Sequence, residues 1–237
     1  MKRTIIYLLC LWPILASAQL PAQLNISGSA STEVTPDITI INISINALHK
    51  DYAKSVELLQ DKADEIKKFL KKKKVSEDYI SSENFDINKS YAYENRKQVF
   101  MGYESTLRIR LEFKNNNELA NRIINAIGES NAEADISVNF KLSQELKDKV
   151  NDQLIQAAIM DAKKKANIIA QTTEQELGQI IKINYGVQDN VSVLPQMERT
   201  FLSMDAKSNG TERNSFSITP QPVERSTDII IYWILQP

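Results

Sequence analysis

The sequence predicts an α+β fold in which helices cover one face of a mainly antiparallel sheet. Apolar and polar residues alternate along many segments, helical spacing interrupts this alternation, and the last apolar run is short and rich in isoleucine. With 42% hydrophobic and 25% charged residues, the composition is that of an ordinary globular protein and excludes a disordered or collagen-like chain. The blocks 38–113 and 118–193 each contain strands and a helix, which is compatible with two related lobes.

Residues 1–18 predict an export signal rather than a part of the fold. Lys2 and Arg3 precede a mostly apolar run over 4–15, and small residues lead to an expected cleavage site after Ala18. An uncleaved membrane anchor is the alternative, but the run is short for a hydrocarbon core of roughly 30 Å. We therefore expect a periplasmic protein, free or associated with the outer membrane.

Alternation and helical spacing then define the elements of the first half. Residues 25–34 are polar and rich in serine and threonine, which suits an edge strand, and Pro36 separates them from a strand predicted over 38–48. Helical spacing follows over 51–74. This helix ends in the lysine run 71–74, where positive charge favours the helix dipole.

A hairpin is expected next, from a strand over 79–93 and its return strand over 99–113. A second helix is predicted over 118–128 and another alternating strand over 134–142. The longest periodic segment, 143–176, predicts one long helix in the C-terminal half of the chain.

The remaining C-terminal residues predict strands around one long loop. Gly178 is expected to cap the long helix, and one or two strands follow over 179–193. The segment 195–222 is low in apolar residues and is expected to be a flexible loop. The strongly apolar final run, 226–235, predicts a strand in the middle of a sheet.

Several short motifs occur in an order that resembles the SIMPL domain family. The motifs are Ile26-Ser27-Gly28, then Pro36-Asp37 before a strand, then Gly102-Tyr103-Glu104-Ser105, then Ala158-x-x-Asp161-Ala162-x-x-Lys165-Ala166-x-x-x-Ala170 followed by Leu177-Gly178. The resemblance covers nearly all of the expected domain over 19–237. Bacterial members of this family are exported, and they include the periplasmic immunogenic protein of brucellae.

The resemblance implies an α+β fold, a non-enzymatic role and self-association. Some members form large hollow homo-oligomers, and some are linked to tolerance of oxidative stress. The family has no agreed catalytic residues, so the resemblance assigns no catalytic, cofactor-binding or metal-binding residue and no cofactor to this chain.

Few residues are suited to catalysis. His49 is the only histidine, and cleavage after Ala18 would remove Cys10, the only cysteine. Without a nucleophile nearby in sequence, His49 is expected to be a surface or helix-entry residue rather than a general base. A carboxylate pair such as Glu104 and Glu112 is the remaining enzymatic alternative, a hydrolase.

Each charged group on the predicted helices can be interpreted either as a solvated surface group or as part of a functional contact. Lys71–Lys74 are expected to be solvated, with contact to an anionic lipid surface as the alternative. Nucleic acid is not an expected partner, because the net charge is -1 and no aromatic platform accompanies the lysines. Asp161 and Lys165 have the i,i+4 spacing of an ion pair on a solvated helix face or at a subunit contact.

Two sets of residues indicate packing or association. The alanines of the long helix (Ala158, Ala162, Ala166 and Ala170) are expected to pack on a sheet. The aromatic residues of the hairpin are either core and rim residues or an association surface: Tyr79, Phe85, Tyr91, Tyr93, Phe100 and Tyr103. The sequence thus favours an exported, non-catalytic, self-associating protein. The alternative is a monomeric binding module for a small ligand or envelope polymer, with a pocket between sheet and helices.

Overall fold

The computed structural model describes residues 22–94, 96–186 and 218–237. The expected export signal and residues 195–217 of the expected loop lie outside these ranges, and 218–222 is neither helix nor strand. In chain order the strands and α-helices are β1 Gln23–Val34, β2 Ile38–His49, α1 Tyr52–Lys72, β3 Ile80–Glu94, β4 Lys97–Lys114, α2 Asn117–Gly128, β5 Asp135–Lys141, α3 Gln144–Thr172, β6 Glu176–Tyr185 and β7 Val223–Gln236.

The strands form two sheets, which confirms the α+β class. One sheet has the order β1-β7-β6 and the other the order β3-β4-β2-β5. The final strand β7 is the central strand of its sheet, as its apolar composition predicts. The expected edge position of β1 is also confirmed.

The described chain divides into two compact units. Their bounds differ from the blocks 38–113 and 118–193, because β5 from the second block pairs with β2 from the first. One unit contains 31–94, 96–154 and 218–226, and the other contains 22–30, 155–186 and 227–237.

The larger unit has an aliphatic core between its sheet and the helices α1 and α2. Every second residue from Ile41 to Ala47 on β2 and from Leu107 to Phe113 on β4 points into this core, as the period of two requires. Asp51 caps α1 through a hydrogen bond from the Lys54 N–H to its Oδ1, 3.1 Å long. The fully buried members of the core include Ile41, Ile43, Ile45, Leu59, Ile66, Leu70, Ile109, Leu111 and Ile123.

The smaller unit has a core of small residues against large ones. Ala158, Ala162 and Ala166 of α3 are buried against β7, which confirms the expected packing face. Their partners on the sheet are Ile229, Ile231 and Trp233. The close approach also needs a glycine on β1, since a Cβ at Gly28 would lie 2.0 Å from the Ala158 carbonyl oxygen.

The expected cap at Gly178 is wrong. The helix α3 ends at Thr172, and Glu174 takes the left-handed conformation with φ 53°. The Gln175 N–H then donates to the Ala170 carbonyl at 2.9 Å, which closes the helix before the predicted point. Gly178 lies in β6 instead, where a Cβ would come within 2.8 Å of the Ile234 carbonyl oxygen.

Candidate functional site

The hairpin β3–β4 extends past the sheet that holds its base. Pairing of β2 with β4 stops at His49–Tyr103, whereas pairing of β3 with β4 continues to Glu94–Lys97. Residues 90–94 and 96–102, the hairpin tip, therefore form a ribbon of two strands, about 20 Å long at ~3.3 Å per residue. Two strands alone are marginally stable in water, so the tip depends on its side chains.

A chain of aromatic contacts covers one face of the hairpin tip. Tyr91 lies opposite Phe100 with ring centroids 5.6 Å apart, and Phe100 contacts Tyr103 at 5.5 Å. Tyr52, the first residue of α1, extends the chain through an edge contact to Tyr103 at 5.5 Å. Tyr93 lies two residues beyond Tyr91 and so shares its face. These five residues are called the aromatic surface below.

The structure brings together only part of the predicted aromatic cluster. Tyr79 lies at the other end of the hairpin, where its ring is 5.8 Å from that of Phe113. Tyr52 was absent from the predicted set, because it belongs to a helix far from the hairpin in sequence. The sequence of the first turn of α1 carries no signal that its first residue meets the hairpin.

Phe85 lines an apolar groove between α1 and the base of the hairpin. This groove has a volume of about 360 Å³. Asp64 and Lys67 of α1 stand beside it, with their charged groups 3.8 Å apart and largely exposed. The groove is lined by Leu59, Gln60, Ala63, Asp64, Lys67, Phe85 and Leu107.

The motif around Gly102 builds the junction between the hairpin tip and the sheet. Gly102 has φ +146°, and a Cβ there would lie 2.5 Å from the His49 carbonyl oxygen. Ser105 is fully buried, and its Oγ donates to the Ser55 carbonyl at 2.7 Å. This hydrogen bond joins β4 to α1, so the motif positions the tip.

The Pro36-Asp37 motif joins three segments at the opposite end of the same sheet. The Ser143 N–H donates to Asp37 Oδ1 at 2.6 Å, and the Asn115 N–H donates to the Asp37 carbonyl at 2.9 Å. Burial opposes ionisation, but the hydrogen bonds from Ser143 lower the pKa of Asp37 overall. Ser143 also caps α3, because its Oγ accepts from the Leu146 N–H at 3.1 Å.

Asp161 and Lys165 hold strand β1 against α3. Asp161 Oδ2 accepts from the Ser29 N–H at 3.0 Å, and Lys165 Nζ donates to the Ser27 carbonyl at 3.2 Å. The two side chains form an ion pair at 2.6 Å, and this hydrogen bond lowers the pKa of Asp161. The spacing predicts the ion pair correctly, but the anchored strand is a contact that the i,i+4 pattern does not reveal.

The candidate catalytic groups are not assembled into a catalytic arrangement. His49 Nδ1 accepts from the Asp51 N–H at 2.9 Å, at the entry to α1. Glu104 and Glu112 lie eight residues apart on β4, or about 26 Å at ~3.3 Å per residue, too far for a catalytic carboxylate pair. Within the described ranges no group of three His, Cys, Asp or Glu side chains is placed to hold a metal ion.

A polar face of the larger sheet carries an ion network that sequence patterns do not indicate. The Arg110 guanidinium lies between Glu83 at 2.8 Å and Glu112 at 2.9 Å, and Lys141 reaches Glu112 at 2.6 Å. Hydrogen bonds from Lys141 and then Arg110 lower the pKa of Glu112. Charges of both signs compensate one another here, so the face has no dominant electrostatic field.

The lysine run at the end of α1 is partly engaged. Lys73 forms an ion pair with Glu129 at 2.6 Å, and Lys72 Nζ lies 5.5 Å from the centroid of the Phe69 ring.

Among the helices of the described residues, none is long and apolar enough to span a membrane.

Comparisons with known proteins identify the same family as the motifs. The family model SIMPL, described as a protein of unknown function (DUF541), matches residues 24–229. The "Uncharacterized protein YggE" of Escherichia coli K12 is 26% identical over 163 residues, which is 69% of this chain and 65% of that protein. Its namesake in Edwardsiella ictaluri is 24% identical over 164 residues, 69% of this chain and 67% of that protein.

Among solved structures, a designed protein matches part of the chain. The designed protein Foldit4 aligns over 46% of this chain and 100% of its own, with 13% identity and a TM-score of 0.21.

Proposed function

The chain belongs to the SIMPL family, and from this premise we propose that it is an exported, non-catalytic protein that associates with itself in the periplasm or at the outer membrane. The observation that carries self-association is the aromatic surface of the hairpin tip. Tyr91, Tyr93 and Phe100 are 47%, 78% and 41% exposed, although all three are large and apolar. Contiguous exposed apolar groups of this kind mark sites of protein contact.

The chemistry of the aromatic surface suits an interface. Tyrosine and phenylalanine are enriched where proteins meet, because they bury much area with few rotatable bonds. Edge contacts among Tyr91, Phe100, Tyr103 and Tyr52 already order these rings. Pre-ordered side chains lose little further entropy when a partner covers them.

The positions of the motif residues support a non-catalytic role. Gly28, Asp37, Gly102, Ser105 and Asp161 each contact backbone or leave room for it. The residues that resemble the family signature thus act in building the fold, and none of these five converges with the others on a shared cleft.

Light scattering on the purified chain tests self-association. We expect a mass of several chains at micromolar concentration, and a fall to one chain in the double variant Tyr93→Ser with Phe100→Ser. The matched control is Tyr185→Ser, which removes a tyrosine of β6 that is 43% exposed. A monomeric wild-type protein, or equal losses in the variant and the control, would contradict the proposal.

The apolar groove favours a second candidate, a monomeric binding module. Its volume of about 360 Å³ lies in the range of small-molecule sites, roughly 300–1,000 Å³. In that case the wild-type chain is monomeric, and a ligand extracted from the cell envelope raises its melting temperature. Filling the groove with Gln60→Trp should remove that rise.

Export and stress tolerance are separate proposals with their own tests. Mass measurement of the protein from the periplasmic fraction should give a chain that starts at Gln19. A strain that lacks the gene should survive peroxide less well than its parent. Cytoplasmic retention of the full chain would contradict export.

A further inference from the structure

We propose that the hairpin tip of one copy inserts Tyr93 into the apolar groove of a second copy. The inference rests on the proposed self-association and names both halves of the contact. Because the tip and the groove are different patches of the surface, the contact is either made twice in a reciprocal two-fold dimer or repeated head-to-tail.

Tyr93 is suited to act as the inserted side chain. At 78% it is the most exposed large hydrophobic residue in the described part of the chain. It is followed closely by the turn, where Arg96 adopts φ +63°. The ring therefore stands at the far end of a projecting ribbon, where a partner meets it first.

The groove is suited to receive one aromatic ring. A cavity of roughly 150 Å³ already admits benzene, and this groove measures about 360 Å³. Leu59 and Ala63 form buried walls, at 1% and 5% exposure. The ring of Phe85 is 52% exposed and offers an edge or face to an incoming tyrosine.

Charges beside Tyr93 complement charges beside the groove. The hairpin tip carries Glu94 next to Arg96 and Lys97, and the groove carries Asp64 next to Lys67. Glu94 and its partner Lys97 lie on the face of the ribbon opposite Tyr93, so Arg96 of the turn is the cation that insertion of Tyr93 brings toward Asp64. With one anion and two cations each tip has a net positive charge, so two tips repel, whereas Asp64 and Lys67 beside the groove balance each other.

The hairpin tip cannot occupy the groove of its own chain. Phe85 and Tyr93 lie on the same strand, eight residues apart, so about 26 Å separates them at ~3.3 Å per residue. Strand β3 is continuous over this distance. A tyrosine that fills the groove therefore comes from another copy, in a reciprocal dimer or in a ring or filament that repeats the contact.

Complementation between two variants tests the proposal. Tyr93→Ser removes the inserted ring and keeps the groove, whereas Gln60→Trp fills the groove and keeps the ring. Gln60 is exposed, so circular dichroism and melting temperature should remain those of the wild type. We expect each variant alone to be monomeric by light scattering and an equimolar mixture to form a dimer with one chain of each kind.

The outcomes separate this proposal from self-association in general. If Tyr93→Ser dissociates the assembly but Gln60→Trp leaves its mass unchanged, the tip meets another surface and the groove contact is wrong. If both variants are monomeric and their mixture stays monomeric at hundred-micromolar concentration, the proposal is also wrong. A monomeric wild-type chain would remove the proposed self-association as well.

Disulfide trapping tests the same contact when a single interface is weak. In a Cys10→Ser background, Arg96→Cys mixed with Asp64→Cys should give a covalent dimer on mild oxidation. Either variant alone should give less than a tenth of that yield, because its cysteine faces no second cysteine. A dimer in the Arg96→Cys protein alone would place tip against tip and overturn the proposal.

Discussion

Apolar side chains share one face at both the base and the tip of the β3–β4 hairpin. Helix α1 covers that face at the base, whereas the tip is exposed to solvent. At the base, Ile109 and Leu111 point toward α1 and are 2% and 0% exposed. At the tip, Phe100 and Tyr91 share one face of the ribbon, and both are more than 40% exposed. Alternation therefore identifies the face on which a side chain lies, but not whether anything covers that face.

The base and the tip of the hairpin differ in residue type as well as in solvent exposure. The base uses isoleucine and leucine, which fill a packed interior without polar atoms to satisfy. The tip uses tyrosine and phenylalanine, and a tyrosine hydroxyl remains hydrated when the ring is uncovered. Composition thus separates a core segment from a contact segment where periodicity does not.

The largest expected effect comes from removing a side chain at the base. Ile109→Ala should lower the free energy of unfolding by about 2–5 kcal/mol, because it opens a cavity in a packed core. Urea unfolding of the monomer measures this loss. A change of less than about 1 kcal/mol would mean that the base is not packed as described.

A second substitution lies at the junction between the base and the tip of the hairpin. Gly102→Val should cost about 1–3 kcal/mol, since φ +146° is unfavourable for any L-residue with a Cβ and the His49 carbonyl lies in its place. The matched control is Gly128→Ala, where a Cβ meets no atom within 4 Å. Thermal unfolding should separate the two variants, and equal melting temperatures would contradict the role of Gly102.

At the end of the sheet farthest from the tip, stability should depend on pH. Asp37→Asn should cost about 1–2 kcal/mol at pH 7, because the charged acceptor of the Ser143 N–H is lost. The pKa of Asp37 is lowered from 3.8, so its contribution is present above that value and disappears as the pH falls through the folded pKa. Urea unfolding over a series of pH values below 7 should therefore show the difference in unfolding free energy between the wild type and the variant shrinking as the pH falls. A difference that persists or grows in acid would contradict this assignment.

The smallest effect on stability is expected at the tip. Tyr93→Ser should change the unfolding free energy of the isolated monomer by no more than about 0.5 kcal/mol, because the ring is largely solvated. Unfolding at concentrations below the association threshold measures it. A large loss would show that Tyr93 supports the fold of its own chain, in contrast to the proposed contact.

Local patterns predicted most elements and their faces. The strand over 38–48, the helix over 51–74 and the long helix from 143 all occur, since each depends on residues two to four positions apart. The end of the long helix was the exception. Glu174 adopts the left-handed turn in place of Gly178, which lies in β6, where a Cβ would lie 2.8 Å from the Ile234 carbonyl oxygen.

The candidate site shows the same division between local and distant information. The tyrosines of the hairpin were evident from their parity, but Tyr52 and the groove beside Phe85 were not. Both arise because α1 crosses the hairpin, which brings together residues roughly 20 to 50 positions apart in sequence. No pattern of near neighbours encodes such a contact.

Side-chain alternation and spacing were sufficient for the class of fold, the order of the elements and the identity of the inward faces. Folding in three dimensions decided the partition into two sheets, the anchoring of β1 by Asp161 and Lys165, and the uncovered state of the hairpin tip. The physical reason is that periodicity follows from local backbone geometry, whereas pairing and cover follow from competition among all segments for the same buried surface.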